Sequence, residues 1–276
     1  MFDREEGESP PWLVPDDLWE RIEPLLPVVP RRTRNPGRKR VPDRQVPHTG
    51  IRWEFPPQEP GFGSGMTCRR RLRDRNEAGA RSWPHEVLLA ELHSAGRPDR
   101  DRAVIDSSHV RAARRGPQGG PGPVDRARPG SMHHVPTDGG GIPLSVLPTG
   151  GDRNDVIGLE PLLDAVPDVR GQRRRPRRRP KALYADRGYD HDEYRRRPRA
   201  RGITPRIARR GEPHGPGPGT VRWVLERTIA WYHGMKRLRI HRERRDDIHE
   251  ALPGLATRTI CHRHVRRLRQ DQLTRR

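Results

Sequence analysis

Apolar positions along this chain follow two rhythms, and the change between them falls near residue 101. Upstream the spacing is helical. In WLVPDDLWERIEPLLP (12–27), Leu18, Ile22 and Leu25 recur on one face behind Asp16 and Asp17, which predicts a short capped amphipathic helix. Residues 28–65 are dominated by Pro, Arg and Gly and read as loop. Helical character returns over 66–95, where charged turns lead into the stripe Val87, Leu88 and Leu92. Two or three short helices flanking an Arg-rich segment predict a small helical DNA-binding domain over 12–95, with Arg70 and Arg71 as candidate phosphate contacts.

Downstream, strands alternate with helices. AVIDSSHV (103–110) is a compact apolar strand, and 133–147 reads as two strands joined by the glycine turn Asp138–Gly141. Asn154–Val166 has helical spacing in Val156, Leu159, Leu162, Leu163 and Val166. The Arg- and Pro-dense run 170–181 cannot pack as an element and reads as a basic loop. ALYAD (182–186) is again a strand, followed by a short helix near 192–201 and an edge strand at 203–208, given Pro205. After the loop 211–219, Thr220 is expected to cap a helix running to about Leu238. This order predicts a mixed α/β sheet with flanking helices over 101–267.

Composition narrows the picture. Of 276 residues only 30% are hydrophobic, and 31 are Pro and 28 Gly; the mean hydropathy is -1.06. Long stretches therefore cannot bury enough apolar surface to offset the entropy of ordering, and the ordered core should cover part of the chain. The net charge of +21 favours a polyanionic partner. Only three of the 57 basic residues are Lys, which suits Arg-favouring codon bias, but that bias does not create a charge excess. Cys68 and Cys261 stand far apart without a CxxC pair, so no zinc site or disulfide framework is indicated. The cluster Cys261, His262 and His264 is expected to be a basic helical surface. No apolar run reaches the ~20 residues needed to span a bilayer, and the acidic N-terminus is unlike a signal peptide, so a cytoplasmic, nucleoid-associated protein is expected.

Asp106 is expected to end the first strand and Asp186 the later strand ALYAD, which would set both at a sheet rim, where α/β folds bind ligands. Glu226 lies in the helix after the long loop. Each acid alone is unremarkable among 36. Together they would form a hard-oxygen site suited to two Mg²⁺ or Mn²⁺ ions, which can clamp a phosphodiester.

Several ordered blocks carry a resemblance to a known family. AVIDSSHVRA (103–112), TGGDRNDV (149–156), LYADRGYD (183–190) and RWVLERTIAWYHGMKRLRI (222–240) resemble the DDE transposases of bacterial insertion sequences, in particular insertion sequence family five. WLVPDDLWERIEPLLP and GFGSGMTCRRRLRDRNEAG (61–79) are similar to that family's N-terminal domain, so the likeness spans about 12–267. It implies a ribonuclease-H-like catalytic core with Asp106, Asp186 and Glu226 as the acidic triad. Arg222 matches the arginine four residues before the glutamate and is expected to hold transposon-end phosphate, with Arg187 and His233 as further DNA contacts. The implied reaction is metal-assisted cleavage at the element's terminal inverted repeats, followed by attack of the freed 3′-hydroxyl on target DNA by a homodimer.

The chain departs from the family in places. His233 replaces the basic residue seven after the glutamate, Gly219 replaces a tyrosine, and Met132 stands where a basic residue is expected before His133. Pro148 falls beside a strand, and Pro198 inside the short helix would cost ~3 kcal/mol if truly interior. About one helix before Trp53 is missing. These departures leave a non-catalytic DNA-binding remnant, regulating related elements, as the alternative.

Overall fold

A computed structural model describes residues 16–26, 28, 33–34, 63–77, 83–97, 99, 101–114, 116, 118–122, 128–167, 179–212 and 216–274; for Leu18, Trp83 and 216–222 it describes the backbone alone. The chain divides into two units, 1–84 and 85–276.

In the first unit, α1 (Asp16–Ile22) runs into a 3-10 turn at Glu23–Leu25, and α2 spans Gly65–Glu77. The expected start of the first helix at 12–15 lies outside the described residues. In α2, Cys68 and Arg71 are one turn apart and both buried, while Arg70 points to solvent. Helical periodicity thus withdraws Arg71 from the surface on which it was expected, and Arg70 is the one of the pair exposed.

The second unit is built on a seven-stranded sheet ordered β2-β3-β1-β5-β6, with β4 on β3 and β7 on β1. Its strands are β1 (Arg102–Ala112), β2 (Gly120–Pro121), β3 (Pro129–Asp138), β4 (Leu147–Gly150), β5 (Ala182–Ala185), β6 (Thr204–Ile207) and β7 (Ile240–His241). β1 and β3 form a long antiparallel ribbon from Ala103↔Asp138 to Arg111↔Gly130. β5 then runs parallel to β1, and β6 parallel to β5. This is the mixed α/β arrangement with flanking helices expected from the sequence, and Pro205 does lie on the edge strand.

Helices cover both faces. On one, α4 (Leu159–Asp164), preceded by a 3-10 turn at Asp155–Gly158, packs with α5 (Asp192–Ala200) around a core that includes Ile105, Leu159, Leu162, Leu183 and Tyr189. On the other lie α6 (Pro216–Gly234) and α8 (Asp246–Leu273), with α7 (Lys236–Arg239) between them in sequence. α3 (Trp83–Ser94) buries Leu88, Leu89 and Leu92, and its His85 Nε2 lies 3.0 Å from the Pro143 carbonyl.

Several expectations need correcting. α6 begins at Pro216 rather than at a Thr220 cap. Between Asp138 and Leu147 the second predicted strand shrinks to a single bridge, Thr137↔Pro143, before β4. The sequence Cys261–His264 is helical, but Cys261 and His262 are buried on the inner face of α8, so only Arg263 of this stretch is fully exposed. Met132 is buried in β3, where a cation would lack water. Pro198 falls in the last turn of α5 and its carbonyl accepts the N–H groups of Arg201 and Ile203, so the helix end absorbs it.

Candidate active site

Asp106 lies in the interior of β1 rather than at that strand's end as expected, and Asp186 directly follows β5. The recorded pairs Arg102↔Ala182, Ala103↔Leu183 and Val104↔Tyr184 all carry an offset of 80, and 186 − 106 is also 80. Asp106 and Asp186 therefore continue that register two residues past its last pair. Alternation along β1 sets the Asp106 side chain on the face opposite Ile105, which enters the apolar core with Leu183 and Ala185. One oxygen of each aspartate is fixed locally: Asp106 Oδ1 accepts the Ser107 N–H at 2.8 Å, and Asp186 Oδ1 accepts the Gly188 N–H at 2.8 Å. Asp186 thereby caps the 3-10 turn Arg187–Tyr189 that turns the chain away from the sheet.

The helix α6 crosses this same face. The Thr228 hydroxyl donates to the Gly141 carbonyl at 2.8 Å, and Arg227 Nη2 donates to the Gly140 carbonyl at 3.0 Å. Gly141 has φ +89°, and a Cβ there would lie 2.8 Å from Val224 Cγ1, so only glycine lets α6 seat on the turn. Farther along, His233 Nε2 lies 3.2 Å from Ser108 Oγ. Glu226 precedes His233 by seven residues and so lies on the same stripe of the helix, while Ser108 and Asp106 share one face of β1. The exposed Glu226 is thus carried on the stripe that meets the aspartate-bearing side of β1. Among the described residues, no group of three His, Cys, Asp or Glu side chains stands close enough to hold a metal ion.

Other predicted contacts land as follows. His233 is partly buried, and burial followed by the Arg239 charge depresses its pKa, which makes it a neutral clamp between α6 and β1. Arg187 is half-buried and donates to the Glu212 carbonyl. Arg222 has its backbone in α6 and its side chain outside the described residues. Of the basic run 170–181, residues 170–178 lie outside the described residues, and Lys181 pairs with Asp101 at 2.7 Å.

Two groups beside the aspartates went unnoticed in the sequence. Asp155 accepts the Ser107 hydroxyl at 2.6 Å. Tyr189 is fully buried, and its hydroxyl has no hydrogen-bond partner among the described residues. Its pKa is raised above the ordinary range, first by burial and then by the charges of Asp155, Asp106 and Asp186. The signal for Asp155 lay in the stretch TGGDRNDV, where Asn154 accepts the Val156 N–H and so starts a turn at Asp155.

Two aspartates in register with the parallel β1–β5 ladder, with α6 crossing that face of β1, define an α/β protein with carboxylates beside its central strands. Comparison with known proteins identifies the family. Residues 97–258 match the family described as Transposase DDE domain, and residues 14–82 match the putative transposases of the IS4/5 family. The chain is 49% identical over 192 residues to a putative transposase for insertion sequence element IS402 from Burkholderia cepacia, covering 70% of this chain and 85% of that one. It is also 49% identical over 108 residues to an uncharacterized 16.2 kDa protein of insertion element IS402 from the same organism, covering 36% of this chain and 74% of the other. Among solved structures, the catalytic core domain of BIV integrase aligns with a TM-score of 0.31 and 12% identity over 55% of this chain and 80% of that one. The chain belongs to the DDE transposases of insertion sequences. Enzymes of this family act on DNA and generally use divalent metal ions. Among the described residues, no helix is long and apolar enough to cross a membrane.

Proposed function

We propose that this chain cleaves the ends of its own element and joins the freed 3′-hydroxyl to target DNA, with Asp106, Asp186 and Glu226 as the catalytic acids. What supports this reading is the β1–β5 register that Asp106 and Asp186 continue, together with the contact of α6 with β1 through His233 and Ser108. Their oxygen-only donor chemistry fits Mg²⁺ or Mn²⁺, and the three acids would hold two such ions. Bound there, the ions would supply charge neutralisation at a phosphodiester and a polarised water. The protein's own residues hold the strand end and orient the carboxylates, while Arg222 and the exposed Arg70 contribute guanidinium contacts to phosphate. The helical N-terminal region (12–95) binds the inverted repeats, the basic loop 170–181 adds nonspecific affinity, and the protein acts as a homodimer on the paired ends.

The test is nicking of supercoiled plasmid carrying the element's ends in Mn²⁺, with joined products scored beside cut ones. Cleavage and joining that vanish in Asp106→Asn support the reading. Cleavage without joining would assign a nuclease. DNA binding with no cleavage under any metal would assign the non-catalytic remnant.

A further inference from the structure

Asp155 has no place in the three-acid reading, yet it reaches β1 next to Asp106. The 3-10 turn that carries it is held rigidly. Asn154 caps the turn, Val156 and Leu159 are buried, and Gly158 lies so close to His134 that a Cβ there would meet the ring at 3.2 Å. From this platform Asp155 Oδ1 accepts the Ser107 hydroxyl at 2.6 Å, within the short range of charge-assisted O–H···O⁻ bonds. Ser107 in turn donates its N–H to Asp106 Oδ1 at 2.8 Å. On the β5 side, the recorded ladder of β1 stops at Val104, two residues before Asp106. The Ser107–Asp155 bond therefore anchors β1 where that ladder has ended. The hydroxyl of Tyr189, a member of the adjoining core, is also buried with no hydrogen-bond partner among the described residues.

We propose that Asp155 is a positioning residue of the cleavage site: by gripping the Ser107 hydroxyl it fixes the segment of β1 whose Ser107 N–H orients the Asp106 carboxylate. This rests on the reading that Asp106 is a metal ligand, and Asp155 acts through Ser107 rather than by touching the ion. Partners that orient metal-binding carboxylates typically account for a factor of about 10–100 in metal affinity or activity.

The test is equilibrium Mn²⁺ binding followed by electron paramagnetic resonance on the full chain, with thermal midpoints measured in parallel. Asp155→Ala and Ser107→Ala should each weaken Mn²⁺ binding roughly 10-fold or more, and the double variant no more than either single one. Asp155→Asn, whose amide oxygen can still accept the Ser107 hydroxyl, should stay within about 3-fold of the unaltered chain. Binding lost in Asp106→Asn but unchanged in Asp155→Ala and Ser107→Ala overturns the inference and leaves the catalytic assignment standing. Asp155→Asn as weak as Asp155→Ala, with Ser107→Ala unaffected, also overturns it, because the charge would then act directly. Asp106→Asn binding as tightly as the unaltered chain overturns both. If Asp155→Ala fails to fold, Ser107→Ala and Asp155→Asn decide the matter by the same criteria.

Discussion

Ile105 and Asp106 are neighbours on one strand, and they look into opposite worlds. Ile105 joins Ala103, Leu183 and Ala185 in a dry core against Leu159 and Leu162. On the other face, Ser131 and His133 of β3 are buried with His241 and His249, and Asp106 stands on the side of β1 that α6 crosses. The first face stabilises the sheet by apolar burial. The second holds polar groups that each need a partner or a neutral form, which costs stability and keeps oxygen and nitrogen donors at the site. Period-two alternation thus lets a single strand serve both purposes without mixing them.

The sharpest way to break this contrast is to alter the two neighbours separately. Asp106→Asn should lower cleavage roughly 10³-fold, since losing a metal-binding charge removes several kcal/mol of transition-state stabilisation. Its thermal midpoint should move little, because the side chain is only partly buried. Ile105→Ala should do the reverse, costing about 2–5 kcal/mol of stability through an unfilled cavity. Denaturant melts and plasmid nicking on both variants would measure the separation. Equal losses of stability in the two would end the division of labour.

The polar face also predicts a pH response of definite sign. Burial and the neighbouring imidazoles hold His133 at a pKa of about 3 and His249 at about 2; His249 stacks on His241 at 3.5 Å. Unfolded, each would titrate near the ordinary 6.5, so below that value the unfolded chain takes up protons that the folded chain refuses. The stability these groups allow is therefore full above pH 6.5 and is lost as pH falls toward their folded values. The slope is roughly 1.4 kcal/mol per pH unit for each histidine, or about 2 kcal/mol each between pH 6.5 and 5. Asp138 works the other way: burial raises its pKa to about 6, so protonating it below that favours the folded state and blunts the loss. Thermal midpoints at pH 7 and pH 5 should differ clearly, and His249→Phe, which keeps a ring on His241, should flatten the difference. An unchanged pH slope in that variant would show that the stacked imidazoles do not carry it.

How much of this was readable in the sequence follows the same division. The apolar face announced itself, because Ala103, Ile105, Leu183 and Leu162 obey simple periods, and the two aspartates stood at the ends of those runs. The other face did not. α8 buries Ile248, Leu252, Ala256 and Ile260 at helical spacing but sets His249, Thr257 and His262 among them, which blurs that period, and Pro253 inside it argues against a helix of 28 residues. The strands β2 and β7, two residues each, are too short for any period. Ser107, Asp155 and Tyr189 were equally invisible, because each is a single polar group whose role exists only once a distant turn is brought to the strand. Arg71 was misjudged for a related reason: charge suggested a surface, and the helix turned it inward.

The smallest effect tests whether α6 must be seated as drawn for the polar face to function. Gly141 adopts φ +89° and leaves no room for a Cβ beside Val224, so Gly141→Ala meets both backbone strain and a clash. The expected cost is about 1–2 kcal/mol, within the range for a residue forced into a sparsely populated backbone region. Because Gly141 receives the Thr228 hydroxyl, the strain should fall on α6 rather than on the apolar face. Amide hydrogen exchange should therefore quicken in 224–233 while β5 and α4 keep their protection. Faster exchange spread evenly over both faces would mean that the turn supports the sheet as a whole. In that case the seating of α6, and with it the proposed role of Glu226, would not depend on this contact.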